Sequence, residues 1–182
     1  MAGSYFRNSD YFVSVRRPGE WHNIKDFIMP DALEVRCLYS QIGAKVWDLF
    51  DLVCRNFSYR RDIGEFWQFP EETIARKQGD CEDTSILLAS LLRNFSNAYT
   101  VLGSHKNLAH AWVVDQAGRI LETTYTQAST APDPEDYRPY FLFNEQNTIE
   151  LWPGALEQVF AVRKNEDAKF SFIAQALKEK VA

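Results

Sequence analysis

The stretch Gly79-Asp80-Cys81-Glu82-Asp83, which runs directly into Thr84-Ser85-Ile86-Leu87-Leu88, decides the fold. An aspartate followed three residues later by a second one is typical of a helix N-cap with its acidic partner, so the pattern predicts a helix over about 81–94. The unpaired N–H groups at a helix start favour negative charge and lower the pKa of a thiol from about 8.5. Cys81 is therefore predicted to be a nucleophile at a helix N-terminus.

The three carboxylates of Asp80, Glu82 and Asp83 work against this activation. Like charges oppose formation of a thiolate and raise the pKa of the thiol. A positive group must therefore outweigh them, and the sequence leaves two alternatives open, an imidazolium partner or a bound cation. Helix capping and interaction with the helix dipole account for the same acidic residues without any metal.

A histidine and a further carboxylate follow downstream in two strand-like runs, with His110 in Leu108–Val114 and Glu122 in Leu121–Thr124. The turn Asp115–Gly118 predicts a hairpin that brings His110 opposite Glu122 or Thr123, at roughly 5 Å. His110 alone is equally typical of a core histidine. Cysteine, histidine and carboxylate together are the parts of a thiol acyl-transfer site, which favours the catalytic interpretation.

The composition limits the classes of protein to consider. The 182 residues fit one domain, predicted to comprise a core of about 31–165 and a C-terminal helix of about 166–181. A net charge of −5 argues against nucleic-acid binding, and no run is apolar and long enough to span a membrane. The three cysteines cannot all form disulfide bonds with one another, which is typical of a reducing compartment. Residues 1–8 lack the apolar core of a signal peptide, so we expect a cytoplasmic protein.

The order of the predicted elements indicates an α+β fold, with helices first and an antiparallel sheet second. A long helical pattern covers about 32–57 and places Cys37 and Cys54 on its apolar positions, so both are predicted to be core residues. A short helix follows at 71–77. Strands are predicted at 99–103, 108–115, 119–125 and 157–163, with a proline-rich loop before the last.

These motifs together resemble the transglutaminase-like superfamily, in particular its small bacterial cysteine-proteinase branch. The resemblance covers about residues 40–126 and is carried by Trp67–Thr73, Gly79–Asp83, His110–Val113 and Leu121–Thr123. It implies a papain-like core in which Cys81 is the nucleophile, His110 the base and Glu122 the orienting carboxylate. The family usually has aspartate at the third position, so Glu122 is a departure from its pattern.

The resemblance implies a thiol-dependent amide or peptide hydrolase or an acyl transferase acting on a peptide or protein amide through a thioacyl intermediate. The chain carries no visible export signal and no additional domain, which favours hydrolysis over crosslinking. The alternative is an inactive member of the fold that binds proteins. The oligomeric state stays open.

The remaining candidates surround this triad. The backbone N–H of Cys81 is one predicted oxyanion donor, and Gln68, Gln78 or Trp67 is the candidate for the second. Trp112, with Trp67, Phe69 and Tyr125, is a candidate for the wall of a substrate cleft. In some relatives the acidic pair at the positions of Asp80 and Glu82 is a calcium site. Calcium takes six to eight oxygen ligands, and some of them could come from this pair together with Asp83 and Asp62. We assign no cofactor and leave calcium as the lesser alternative.

Overall fold

A computed structural model describes residues 9–62 and 64–181, and the side chains of these residues except 173, 174 and 176–181. The prediction that residues 1–8 carry no export signal concerns residues outside this range. None of the described helices is both long and apolar enough to cross a membrane.

The centre of the molecule is a five-stranded antiparallel sheet. Its strands lie in the order β7-β6-β5-β8-β9, with bounds β5 Tyr99–His105, β6 Leu108–Val114, β7 Ile120–Leu121, β8 Tyr137–Phe143 and β9 Thr148–Glu150. Strands β5 and β6 form a hairpin whose turn residues Lys106 and Asn107 both have positive φ, the conformation of a tight turn that matches the twist of its strands.

In the described part of the chain, five α-helices and two small strand pairs surround the sheet. The helices are α1 Leu33–Ile42, α2 Val46–Asn56, α3 Pro70–Arg76, α4 Cys81–Leu92 and α5 Ala155–Val181. The pairs are β1 Phe12–Val13 with β2 His22–Asn23, antiparallel, and β3 Ser58–Tyr59 with β4 Gln78–Gly79, parallel. Helix α4 lies in the centre, between the sheet and helices α1, α2 and α3.

The interior explains the position of α4. All twelve of its residues are buried, and Ile86, Leu88 and Leu91 are fully enclosed. They belong to the main hydrophobic cluster, which also contains Ala111 and Val113 of β6. An α-helix that is buried on every side is typical of a core element, and the first residue of this one, Cys81, is enclosed with it.

The predicted mixed α+β class is confirmed, but three predicted details are wrong. The long helix over 32–57 is two helices, because the backbone at Gly43 turns to φ 81° and ends α1 there. Cys54 is buried as predicted, whereas Cys37 is exposed. The residues predicted as a strand at 157–163 form the first turns of α5, so the C-terminal helix begins at Ala155 rather than near 166.

The sheet also differs from the prediction in two of its strands, β7 and β8. Strand β7 is only two residues long, and the hairpin β6–β7 pairs Val113 with Leu121. Strand β8 runs through the region predicted as a proline-rich loop, with Pro139 inside it. Pro139 lies beside the register shift between Leu102 and Gly103 in the pairing of β5 with β8, a position where a strand tolerates a residue without an N–H group.

Candidate active site

The start of α4 is built by a reciprocal cap. Oδ1 of Asp80 accepts hydrogen bonds from the N–H groups of Glu82 at 3.2 Å and Asp83 at 3.5 Å, and Oδ2 of Asp83 accepts the N–H of Asp80 at 3.1 Å. A Cβ atom at Gly79 would lie 2.5 Å from Cβ of Asp83, so only glycine permits this approach. The predicted capping role of Asp80 and Asp83 is therefore confirmed.

Cys81 is the first residue of α4 and only 1% exposed. Its thiol donates a hydrogen bond to Oε2 of Glu82 at 2.9 Å. Burial raises the pKa of the Cys81 thiol well above its ordinary value, and the charges of Glu82 and Asp80 raise it further, although Arg163 opposes them. The helix N-terminus lowers the pKa of the thiol, but burial and the neighbouring carboxylates raise it by more. The Cys81 thiol is thus protonated and hydrogen-bonded to a carboxylate.

A cation from a distant part of the chain meets the acidic residues. Nη2 of Arg163, on α5, lies 3.0 Å from Oδ2 of Asp80 and 3.7 Å from Oε2 of Glu82, and its Nε lies 3.5 Å from Oε2 of Glu65. Burial alone would raise the pKa of Glu82, but Arg163 and hydrogen bonds from neighbouring groups hold it below its usual value. Burial raises the pKa of Asp80, and repulsion by Glu82 adds to this.

The histidine and its predicted carboxylate partner lie together. Nε2 of His110 is 2.6 Å from Oε2 of Glu122, which leaves Nδ1 as the ring nitrogen that can exchange a proton with another group. Nδ1 makes no hydrogen bond with any residue that the structure describes. The structure therefore brings His110 and Glu122 together, while the Cys81 thiol is bonded to Glu82 and not to His110.

Glu122 is held by a complete set of donors. Oε1 accepts from the backbone N–H and the hydroxyl of Thr124 at 3.0 and 2.7 Å, and Oε2 accepts from the hydroxyl of Tyr137 at 2.9 Å. Burial alone would raise the pKa of Glu122, but the hydrogen bond and charge of His110, together with Thr124, lower it to about 2. Glu122 is therefore an ionised carboxylate that fixes the orientation of the His110 ring.

The three candidates for a second oxyanion donor differ in what they already bind. The backbone N–H and Nε2 of Gln68 both donate to Asp83 at 2.7 Å, and Nε1 of Trp67 donates to Glu65 at 2.7 Å. Oε1 of Gln78 accepts from Arg60 at 3.4 Å, and its amide nitrogen makes no hydrogen bond in the described part of the chain. Gln78, two residues before the helix cap, thus keeps its donor available.

The candidate cleft tryptophans are both core residues. Trp112 is 1% exposed and lies two residues from His110 on β6, on the same face of the strand. It packs edge-to-face on Tyr137 at 5.2 Å between ring centroids and 6.1 Å from the ring of His110. Trp67 is 2% exposed and stacks near Phe143. Trp67 lines the enclosed cavity beside His110, and because both tryptophans are buried, neither forms the wall of an open cleft.

Helix α5 covers the site. Val159, Phe160 and Arg163 of this helix line a cavity of about 10 Å³, and Glu82 and His110 line its other sides. This volume holds about one water molecule. The carboxylate of Glu166, further along α5, accepts the N–H of Ala109 beside His110 at 2.6 Å. A peptide cannot reach the site in this arrangement unless α5 moves.

The acidic residues beside Cys81 form a candidate cation site. One ligand atom each from Asp80, Cys81 and Glu82 lies within 4.8 Å of the others. However, Asp83 uses its carboxylate on Gln68 and on the cap, and the guanidinium of Arg163 already contacts Asp80 and Glu82. A divalent cation and this guanidinium require the same oxygen atoms, so the residues as arranged do not fit a metal ion.

Two residues of the site escaped the sequence analysis. Tyr137 lay in a predicted loop, and nothing in the sequence connects it with Glu122. Arg163 lay in a predicted strand, yet it follows Leu156, Val159 and Phe160 at helical spacing. That periodicity, read as a helix, would have placed an arginine on the apolar face and marked it for a buried partner.

Comparisons with known proteins show what this fold is similar to. Residues 65–148 match the family model of the CEP76 peptidase-like domain. EGTA-treated LapG from Legionella pneumophila is similar in structure with a TM-score of 0.56 and 18% identity, covering 72% of this chain and 85% of LapG. Calcium-bound LapG gives 0.53 and 18%, covering 68% and 86%. No curated protein matches the sequence.

Proposed function

We propose, from the transglutaminase-like cysteine peptidase fold that this chain has, that it is a thiol-dependent peptidase or amidase. The observation that carries the proposal is the 2.6 Å contact between His110 and a buried, ionised Glu122, in a fold that places Cys81 at a helix start. A histidine oriented by a carboxylate is the base that a cysteine nucleophile requires.

The proposed reaction uses these groups in order. Nδ1 of His110 takes the proton of Cys81 while Glu122 holds Nε2–H and stabilises the imidazolium that forms. The thiolate attacks the amide carbonyl, and His110 returns the proton to the departing amine. Water then releases the acyl group from sulfur. The backbone N–H of Cys81 has no partner within α4 because it is at the first position, so it stabilises the oxyanion, with Gln78 as the second donor.

Two changes must precede this reaction. The thiol must leave Glu82 for His110, and α5 must uncover the cavity that it closes. Both are attributed to one movement, because Arg163 of α5 contacts Glu82. The described arrangement is thus a resting state in which the nucleophile is protonated and enclosed.

The same observations favour a second candidate, a catalytically inactive member of the fold that binds a protein. A thiol with a raised pKa that donates to a carboxylate is not a nucleophile. Under this alternative His110 and Glu122 serve only to hold Tyr137 and the β6 strand in place. The two candidates differ in whether Cys81 forms a covalent bond to a substrate.

We propose a peptide or protein amide as the substrate and hydrolysis rather than transamidation as the outcome. A net charge of −5 supports a protein substrate over nucleic acid, because the negative charge of the chain opposes binding of phosphates. A reducing, cytoplasmic location is proposed because Cys37, Cys54 and Cys81 are all free thiols.

The test is incubation of the full chain with a library of proteome-derived peptides, with new termini read by mass spectrometry. We expect cleavage by the natural chain and by Cys37→Ser, which removes a solvent-exposed thiol of α1 that takes no part in the proposed reaction. Cys81→Ala should abolish cleavage, and His110→Ala should lower its rate by about 10²–10⁴-fold. Cleavage that persists in Cys81→Ala contradicts the mechanism, and no cleavage by any chain supports the inactive alternative.

A further inference from the structure

We propose that the guanidinium of Arg163 is a built-in counter-ion that takes the place of a divalent cation beside Cys81 and ties α5 over the site. The inference extends the proposed function to the control of its site. It rests on the position of one side chain, and it can be tested without measuring peptidase activity.

The contacts of Arg163 are those of a cation in an acidic cradle. Its guanidinium lies within 4 Å of the carboxylates of Glu65, Asp80 and Glu82, of which the last two lie at the start of α4 and the first lies in the loop before α3. Its side chain is 6% exposed and those of Asp80 and Glu82 are 4% and 7% exposed. Buried carboxylates so close together require a positive group among them.

Arg163 is the positive group on the described part of the chain that meets this requirement. Asp80 and Glu82 make no other ion pair with a described residue. Arg61, the next cation on this side, pairs with Asp167 at 3.0 Å and is 4.0 Å from Glu166, so it fixes α5 at the following turns. The acidic pair is therefore neutralised from α5 alone.

The geometry also explains why the site does not need a metal in this state. Asp80, Cys81 and Glu82 could offer three ligand atoms to an ion, but a guanidinium presents five donors in a fixed plane and satisfies two carboxylates at once. Nε of Arg163 makes no hydrogen bond with a described residue and relies on the 3.5 Å ion pair with Glu65. Calcium-bound LapG shows that a relative of this fold takes calcium, whereas this chain supplies its own cation.

The consequence is an exchange between two cations. If Arg163 is removed, Asp80 and Glu82 remain buried and unpaired, and a divalent ion becomes their natural partner because calcium prefers carboxylate oxygens. A merely structural arginine would cost stability when removed but would not create sensitivity to calcium. Sensitivity to calcium is thus the property that separates the two roles.

The experiment measures the thermal midpoint of the full chain in EDTA and in calcium chloride. Four chains are compared: the natural chain, Arg163→Gln, the double variant Arg163→Gln with Glu82→Gln, and Arg93→Gln. Arg93 is the matched control, because it too is largely buried and pairs with one carboxylate, Glu145, away from the acidic pair. Both arginine variants should melt at a lower temperature in EDTA than the natural chain.

Only Arg163→Gln should respond to calcium. A midpoint rise of about 3–6 °C is expected when calcium is ten times its dissociation constant, and the double variant should lose that rise. If Arg163→Gln folds only when calcium is present, the inference is equally supported. The inference is overturned if calcium raises the midpoint of the natural chain, or if it leaves the midpoint of Arg163→Gln unchanged. It is also overturned if Arg163→Gln stays unfolded in calcium while Arg93→Gln folds. None of these outcomes depends on catalysis. A negative result in the melting experiment can therefore be distinguished from a negative result in the peptidase assay.

Discussion

The replacement Glu122→Gln tests the electrostatic role of the carboxylate that orients His110. Glu122 is 1% exposed, and His110 and Thr124 lower its pKa from 4.5 to about 2. A shift of this size corresponds to about 3 kcal/mol of stability at neutral pH, at 1.36 kcal/mol for each pH unit. Because the Glu122 side chain is buried, solvent screens its interaction with His110 only a little. We expect the variant to be less stable than the natural chain by about that amount at pH 7.

The sign of the pH dependence follows from the direction of the shift. A carboxylate whose folded pKa is depressed contributes stability above its unfolded pKa of about 4.5 and loses it as pH falls toward the folded pKa of about 2. The difference in unfolding free energy between the two chains should therefore be constant above about pH 6. It should shrink by roughly 2 kcal/mol between pH 6 and pH 3.

Urea unfolding at pH 7, 6, 4 and 3, followed by tryptophan fluorescence, gives the free energy of each chain. Glu122→Asp is the control, because it keeps the negative charge with a shorter reach, and its pH dependence should follow that of the natural chain. Other buried acids such as Asp80 titrate in every chain and cancel in the difference. A Glu122→Gln variant that loses less than about 1 kcal/mol at pH 7, or loses equally at pH 6 and pH 3, refutes the proposed ionised partner of His110.

Two further predictions concern access to the site and the sheet beneath it. Iodoacetamide at pH 7 should modify the exposed Cys37 at least about tenfold faster than Cys81, because Cys81 is enclosed and the pKa of its thiol is raised. Peptide mapping measures both rates, and equal rates would contradict the closed site. Gly103→Ala should destabilise the chain by about 1–3 kcal/mol, since the added Cβ would lie 2.8 Å from Trp112 and closer still to the carbonyl of Arg138. Thermal melting checks this, and a Gly103→Ala chain as stable as the natural one would show that the sheet yields there without cost.

Local sequence signals accounted for the parts of the site that lie close together in the chain. The capping box of Asp80 and Asp83 depends on three-residue spacing, and the contact of His110 with Glu122 depends on one short hairpin. Such interactions need no knowledge of the rest of the molecule, because backbone geometry fixes them. The class of fold followed in the same way from the order of helical and strand-like patterns.

The sequence by itself therefore determined that Cys81 begins a helix and that a hairpin brings His110 opposite Glu122 or Thr123. Only the tertiary structure decided what state these groups are in. Arg163 is 82 positions beyond Cys81, and Tyr137 is 15 beyond Glu122. Whether a thiol at a helix start is activated depends on burial and on every charge nearby, and here α5 brings one of those charges and closes the cavity. Desolvation and long-range ion pairs arise from packing, so no local pattern in the sequence contains them.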